Sequence, residues 1–154
     1  MDSNDILSSE NLKNEVERIN AYVSKIDIKT HEPDSLDLSE LVILGNNRVI
    51  TTNESEKKVV LKNNNIIKVK YKDHLYNNFI KSKIFYYNNN ELICIKVIEV
   101  KPDQKNKAAL YKRTIYVYNN VPILDSDLQN ESNPSTELVT LGKEYLINEY
   151  QALN

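Results

Sequence analysis

Four times between residues 41 and 124 a β-prone run leads through asparagines into a second β-prone run. "LVIL" passes through Gly45-Asn46-Asn47 into "RVITT", and "KVVLK" through Asn63-Asn64-Asn65 into "IIKVKYK". "KSKIFYY" passes through Asn88-Asn89-Asn90 into "ELICIKVIEV", and "TIYVY" through Asn119-Asn120 into "VPIL". Two-residue hairpin turns that match strand twist need φ > 0, which glycine adopts with least steric cost. This chain holds two glycines and 22 asparagines, and asparagine is the next most tolerant residue in the left-handed region. The asparagine runs therefore read as turns rather than polar binding loops, and the segment as a meander of antiparallel hairpins. For the third unit the pattern predicts Ile84–Tyr87 paired with Leu92–Ile95 and φ > 0 at one or more of Asn88, Asn89 and Asn90. The units are unevenly spaced, which argues against a solenoid.

Alternation within the strands assigns faces. In "IIKVKYK", Ile67, Val69 and Tyr71 fall on one side and Lys68, Lys70 and Lys72 on the other. "LICIKVIEV" is apolar on both sides except at Lys96 and Glu99, the mark of a central strand with both faces covered. Before the hairpins, residues 5–27 carry Leu12, Val16, Ile19, Val23 and Ile26 at 4-3-4-3 spacing, an amphipathic helix. The stretch "THEPDSLDLSEL" reads as a connector and Pro102–Lys107 as a polar loop. After the hairpins, Asn133-Pro134 reads as a helix start, with an apolar stripe of Leu138, Leu141, Tyr145, Leu146, Tyr150 and Leu153. Gly142 interrupts that helix, and a glycine there marks close approach to another element. The expectation is a single α+β domain over residues 1–154: an antiparallel meander of about six to eight strands with both terminal helices on one face. The other face is then left in part to lysines and tyrosines.

The net charge of −2 conceals segregation. Residues 1–56 hold 12 acids and 5 bases, residues 57–121 hold 4 acids and 14 bases, and residues 122–154 hold 6 acids and 1 base. A basic sheet between acidic helical segments is partly self-complementary, and strand lysines also guard edges and solvate an open face. The same face suits an acidic protein partner, because complementary potentials steer encounter. Lysines interleaved with tyrosines could also stack on nucleic acid. The scarcity of arginine, the absence of a recognisable motif and a pI near 5.8 argue against that reading.

Catalytic chemistry finds little support. Cys94, the one cysteine, sits mid-strand between Ile93 and Ile95, where a thiol behaves as a small hydrophobe. His31 and His74 are isolated, without metal-ligand spacing. Asp125, Asp127 and Glu131 lack the glycine of a calcium loop and read as a polar loop before the last helix. Two glycines cannot build a glycine-rich phosphate cradle, and no nucleophile or paired-cysteine motif occurs. The expectation is a protein that is not an enzyme, with no cofactor and no metal.

High Asn, Lys, Ile and Tyr content fits an AT-rich bacterial genome. "IFYYNNNELICIKVIEV" with "RTIYVYNNVPILD", about residues 80–125, resembles hairpins of small uncharacterised bacterial proteins, often exported or lipid-anchored. The resemblance lies mainly in turn chemistry and implies no functional residues. "MDSNDILSSE" is polar and acidic, unlike a signal peptide, and no run approaches the ~18 apolar residues of a membrane span. The chain as it stands reads as cytoplasmic, or as periplasmic or exported if a signal peptide has been removed. The functional expectation is a bacterial binding protein, of immunity or inhibitor type, meeting an acidic protein partner. Lys68, Lys70, Lys72, Lys81, Lys83, Tyr71, Tyr86 and Tyr116 would form the contact surface. The alternative is a small-ligand carrier with an apolar pocket between sheet and helices.

Overall fold

The computed structural model describes residues 8–29, 40–44, 47–54, 57–75, 79–101 and 111–153. His31, connector residues 30–39, Gly45-Asn46 of the first predicted turn and the Pro102–Lys107 loop lie outside them, and the last two connector residues, Glu40 and Leu41, open the first strand. Helix α1 (Ser9–Lys29) is followed by eight strands: β1 (Glu40–Leu44), β2 (Asn47–Glu54), β3 (Lys57–Lys62), β4 (Asn65–His74), β5 (Ile80–Asn88), β6 (Glu91–Val100), β7 (Tyr111–Tyr118) and β8 (Val121–Asp125). Helix α2 (Ser135–Ala152) ends the order. The strands form one antiparallel sheet in sequence order, each paired with its chain neighbours. This is the α+β meander with a helix at either end that the hairpin pattern predicts.

The turns carry the expected chemistry three times over. Asn63 and Asn64 have φ of 52° and 67°, Asn89 and Asn90 have 52° and 64°, and Asn119 and Asn120 have 52° and 64°. Both central residues of each two-residue loop are thus left-handed, the type I′ arrangement. Each of the three hairpins then carries a bulge at the same place. The partners step from Val60↔Lys68 to Leu61↔Ile66, from Tyr86↔Cys94 to Tyr87↔Leu92, and from Tyr116↔Leu124 to Val117↔Pro122. The unmatched residue is an isoleucine every time: Ile67, Ile93 and Ile123. Glycine is the preferred second residue of such turns, and Asn120 is exposed. Asn120→Gly is therefore expected to raise stability by roughly 0.5–1 kcal/mol by relieving its left-handed backbone, read as a higher urea midpoint.

The helices do not share a face. On one side α2 packs Leu138, Val139 and Leu146 onto Val69, Phe85, Tyr87, Ile95, Ile115 and Val117. On the other, α1 packs Ile19, Val23 and Ile26 onto Val60, Ile67, Ile84, Tyr86, Ile93 and Cys94. Adjacent residues Phe85 and Tyr86 point to opposite sides, so the two cores are separate layers around one sheet. The one-face expectation fails because the central strands are apolar on both sides, and each side has to be removed from water. The bulges also correct the face assignment of β4: Ile67 lies on the α1 side with Lys68, while Val69 and Tyr71 face α2.

Local signals place the helices. The Ser8 hydroxyl accepts the Asn11 N–H at 3.1 Å and caps α1. Pro134, rather than Asn133, is the N-cap of α2, with no side-chain cap. Gly142 lies against Phe85 and Leu92, the close approach its place in the stripe suggests. Two adjacent tyrosines help hold the layers. The Tyr86 hydroxyl donates to Asp27 of α1 at 2.9 Å, and the Tyr87 hydroxyl donates to the Gly142 carbonyl of α2 at 2.6 Å.

Candidate functional site

The predicted contact residues divide between the two faces. Lys68, Lys70, Lys72, Tyr86 and Tyr116 belong to the α1 side, and Tyr71, Lys81 and Lys83 to the α2 side. All three tyrosines are engaged by the helices. Tyr116 donates to Asn20 Oδ1 at 2.7 Å and Tyr86 to Asp27. Tyr71 donates to Glu149 Oε2 at 2.7 Å and stacks on Tyr145 with ring centroids 4.4 Å apart. Burial is the main cause of the raised pKa of both Tyr71 and Tyr86.

Lys68 is also taken. Its ammonium lies 2.9 Å from Asp27 Oδ1 and 5.4 Å from the Tyr86 ring centre. Lys96 approaches the other Asp27 oxygen at 3.6 Å. Desolvation lowers the Lys68 pKa despite the favourable Asp27 charge. Asp27 is thus the anchor of the C-terminal end of α1, and Asp27→Ala is expected to cost about 1–2 kcal/mol in urea unfolding, discounted for its partial exposure.

Four of the five predicted lysines lie toward one end of β4 and β5, two on each face. Register places Lys70 and Lys72 of β4 beside Ile84 and Ser82, and Lys83 and Lys81 of β5 beside Tyr71 and Asp73. Lys72, Lys81 and Lys83 keep access to solvent, as do Lys101 and Lys112 nearby. These side chains gather at the end of the sheet away from the asparagine turns, on both faces. A basic sheet end thus replaces the single basic face of the sequence reading.

Beside it, on the α2 side, a cleft of about 220 Å³ is lined by Lys81, Val97, Glu99, Tyr111, Arg113, Asn130, Ser132 and Asn133. Its wall is tightly bonded. Arg113 donates through Nε and Nη2 to the two Asp125 oxygens at 2.9 and 2.6 Å, and through Nη1 to the Asn133 carbonyl at 2.7 Å. Both side chains are nearly sealed, 2% and 3% exposed. The Arg113 hydrogen bonds hold the Asp125 carboxyl below the usual carboxylate range. Tyr111 donates to Asp127 Oδ2 at 2.6 Å, and Ser132 donates to Asn130 Oδ1 at 2.8 Å. Among the contact residues predicted from sequence, Lys81 lines this cleft. Asp125 and Asp127 lie in the stretch that reads from sequence as a polar loop, and Asp125 is instead a buried ion-pair partner. The available signal was Arg113, the lone arginine of residues 57–121.

A second hollow lies along α2, lined by Thr136, Glu137, Thr140, Leu141 and Glu144. Neither hollow is an apolar pocket between sheet and helix. Cys94 is buried, and burial pushes its thiol up to about 12, far from a thiolate nucleophile at neutral pH. His74 ends β4 and is exposed. Among the described residues no three histidine, cysteine, aspartate or glutamate side chains are grouped to hold an ion, and no helix is long and apolar enough to cross a membrane. Compared with protein-family models, curated proteins and solved structures, the chain matches none of them.

Proposed function

We propose that this chain is a non-enzymatic binding protein that meets an acidic protein partner through the basic end of its sheet, as an immunity or inhibitor protein would. The supporting observation is the placement of Lys70 and Lys72 on one face, and Lys81 and Lys83 on the other, toward the same end of neighbouring strands β4 and β5. With Lys101 and Lys112 they outnumber the nearby acids Asp73 and Glu99. A cluster of one sign on a rigid sheet raises association rates with an oppositely charged surface and sets its orientation. Tyr71, Tyr86, Tyr116 and Lys68 serve this role indirectly, by fixing the helices against the sheet.

The test is fluorescence anisotropy of a labelled polyglutamate probe against wild-type protein and a Lys72→Glu, Lys81→Glu, Lys83→Glu triple variant. Wild-type binding should weaken steeply with salt, and the triple variant should bind at least about tenfold more weakly at low ionic strength. Equal binding by the two proteins would remove the proposal. A Lys62→Glu variant at the turn end serves as the control and should bind as wild type does.

A further inference from the structure

The cleft beside Arg113 has a division of labour that points to a ligand. Most of its polar groups are spent on one another: Arg113 on Asp125 and Asn133, Tyr111 on Asp127, Ser132 on Asn130. Three polar side chains that line it are not. Among the described residues, the Lys81 ammonium, the Glu99 carboxylate and the Asn133 side-chain amide make no hydrogen bond or ion pair. Lys81 and Glu99 are direct cross-strand partners on β5 and β6 and share the α2 face. Opposite charges in that relation ordinarily attract, yet they line the cleft without closing on each other.

The charge balance restricts what fits. The Arg113–Asp125 pair is internally neutral, and Lys81 and Glu99 cancel. A plain anion would gain Lys81 but meet Glu99, and a plain cation would meet the reverse. A molecule bearing both charges a few bonds apart satisfies both groups at once. Asn133 adds an amide that can donate to a carboxylate or accept from an ammonium. The bonded wall fixes the cleft in advance, so little ordering cost falls on binding. Val97 gives an apolar lining, and the volume of about 220 Å³, below the roughly 300 Å³ of ordinary ligand pockets, restricts the occupant to a few heavy atoms.

We infer that this cleft is a binding site for a small zwitterion of the free α-amino acid class, with the carboxylate on Lys81 and the ammonium on Glu99. The site shares Lys81 with the proposed protein contact. The Glu99 and Asn133 variants therefore separate the two, since neither belongs to the basic cluster.

The experiment is an amide-resonance titration of the whole chain with each standard amino acid, and with acetate and methylammonium as single-charge controls, to about 10 mM. At least one amino acid should produce saturable shifts at residues 81, 97, 99, 111 and 130–133. Acetate and methylammonium should bind at least about tenfold more weakly, the loss of one charge-assisted contact. Glu99→Gln should weaken amino-acid binding about tenfold while strengthening acetate binding, and Asn133→Ala should weaken it less. Lack of a saturable response to every amino acid overturns the inference. So does acetate binding as tightly as the best amino acid, or an undiminished affinity in Glu99→Gln whose spectrum remains that of the folded protein.

Discussion

Replacing Arg113 with methionine is expected to lower the unfolding free energy by about 3–5 kcal/mol. The loss does not come from the attraction alone. Asp125 is 3% exposed and receives two Arg113 hydrogen bonds and a third from the Asp127 N–H at 2.9 Å. Without the guanidinium its charge stays in a site that water does not reach. The Arg113 bond to the Asn133 carbonyl also ties β7 to the entry of α2. Removing both charges, as in Arg113→Met with Asp125→Leu, should recover most of the loss, since an apolar pair of similar volume is about as stable as a buried ion pair. Urea unfolding of the single and double variants reads the difference.

The pH dependence separates this account from simple loss of packing. Asp125 has a folded pKa below its unfolded value of about 3.9. The stability it contributes is fully present above that unfolded value and is lost as pH falls through the lower folded one. Wild-type protein should therefore lose this contribution below about pH 4. In Arg113→Met the buried carboxyl prefers its protonated form, and stability should rise as pH falls from 7 toward 4. Between pH 7 and 4 the Asp125 contribution should leave the wild-type urea midpoint flat while that of Arg113→Met rises, and parallel profiles would count against a buried ion pair.

The second large effect is expected at Gly142, and its sign runs against helix propensity. Alanine in a helix interior is favoured over glycine by about 1 kcal/mol. Here a Cβ would lie 2.8 Å from Phe85 Cδ1 and 2.9 Å from Leu92 Cδ2. Phe85 is fully buried and cannot swing aside without disturbing Tyr71 and Tyr145, whose rings pack against it. A shift of α2 would lengthen the 2.6 Å bond from Tyr87 to the Gly142 carbonyl. Gly142→Ala should be destabilising on balance, and Gly142→Val should cost about 3 kcal/mol from overpacking. Phe85→Leu placed with Gly142→Ala should cost less than the two changes added separately, because the leucine vacates the space the new methyl needs.

The sequence made some of this legible and hid the rest for identifiable reasons. The asparagine turns were readable because a chain with two glycines has few other ways to enter the left-handed region, so local chemistry decided them. Both helices were readable from their 3.6-residue stripes, and the role of Gly142 from its place within one. The two-sided cover of the sheet was partly visible in "LICIKVIEV", yet which side each helix takes depends on connections, not on periodicity. The bulges at Ile67, Ile93 and Ile123 were invisible, since one inserted residue reverses every later side assignment while leaving composition unchanged. Arg113 and Asp125 meet across β7 and β8 only in the register that follows the last bulge. The basic cluster was legible as charge and was misplaced as geometry, because Lys81 and Lys83 pair across the strands from Asp73 and Tyr71, on the side opposite Lys72.

The strictly sequential strand order also has a consequence for how the chain is made. Every strand pairs with one just synthesised, so hairpins can close in microseconds as they emerge, long before the next is complete. The α1 side can be covered from the outset, because its helix precedes the sheet. The α2 side cannot: Phe85, Tyr87, Ile95 and Ile115 remain exposed until residues 135–152 have been translated. At about 5–20 residues per second that is an interval of seconds with one greasy layer open. The nascent protein is therefore a one-sided object for part of its synthesis.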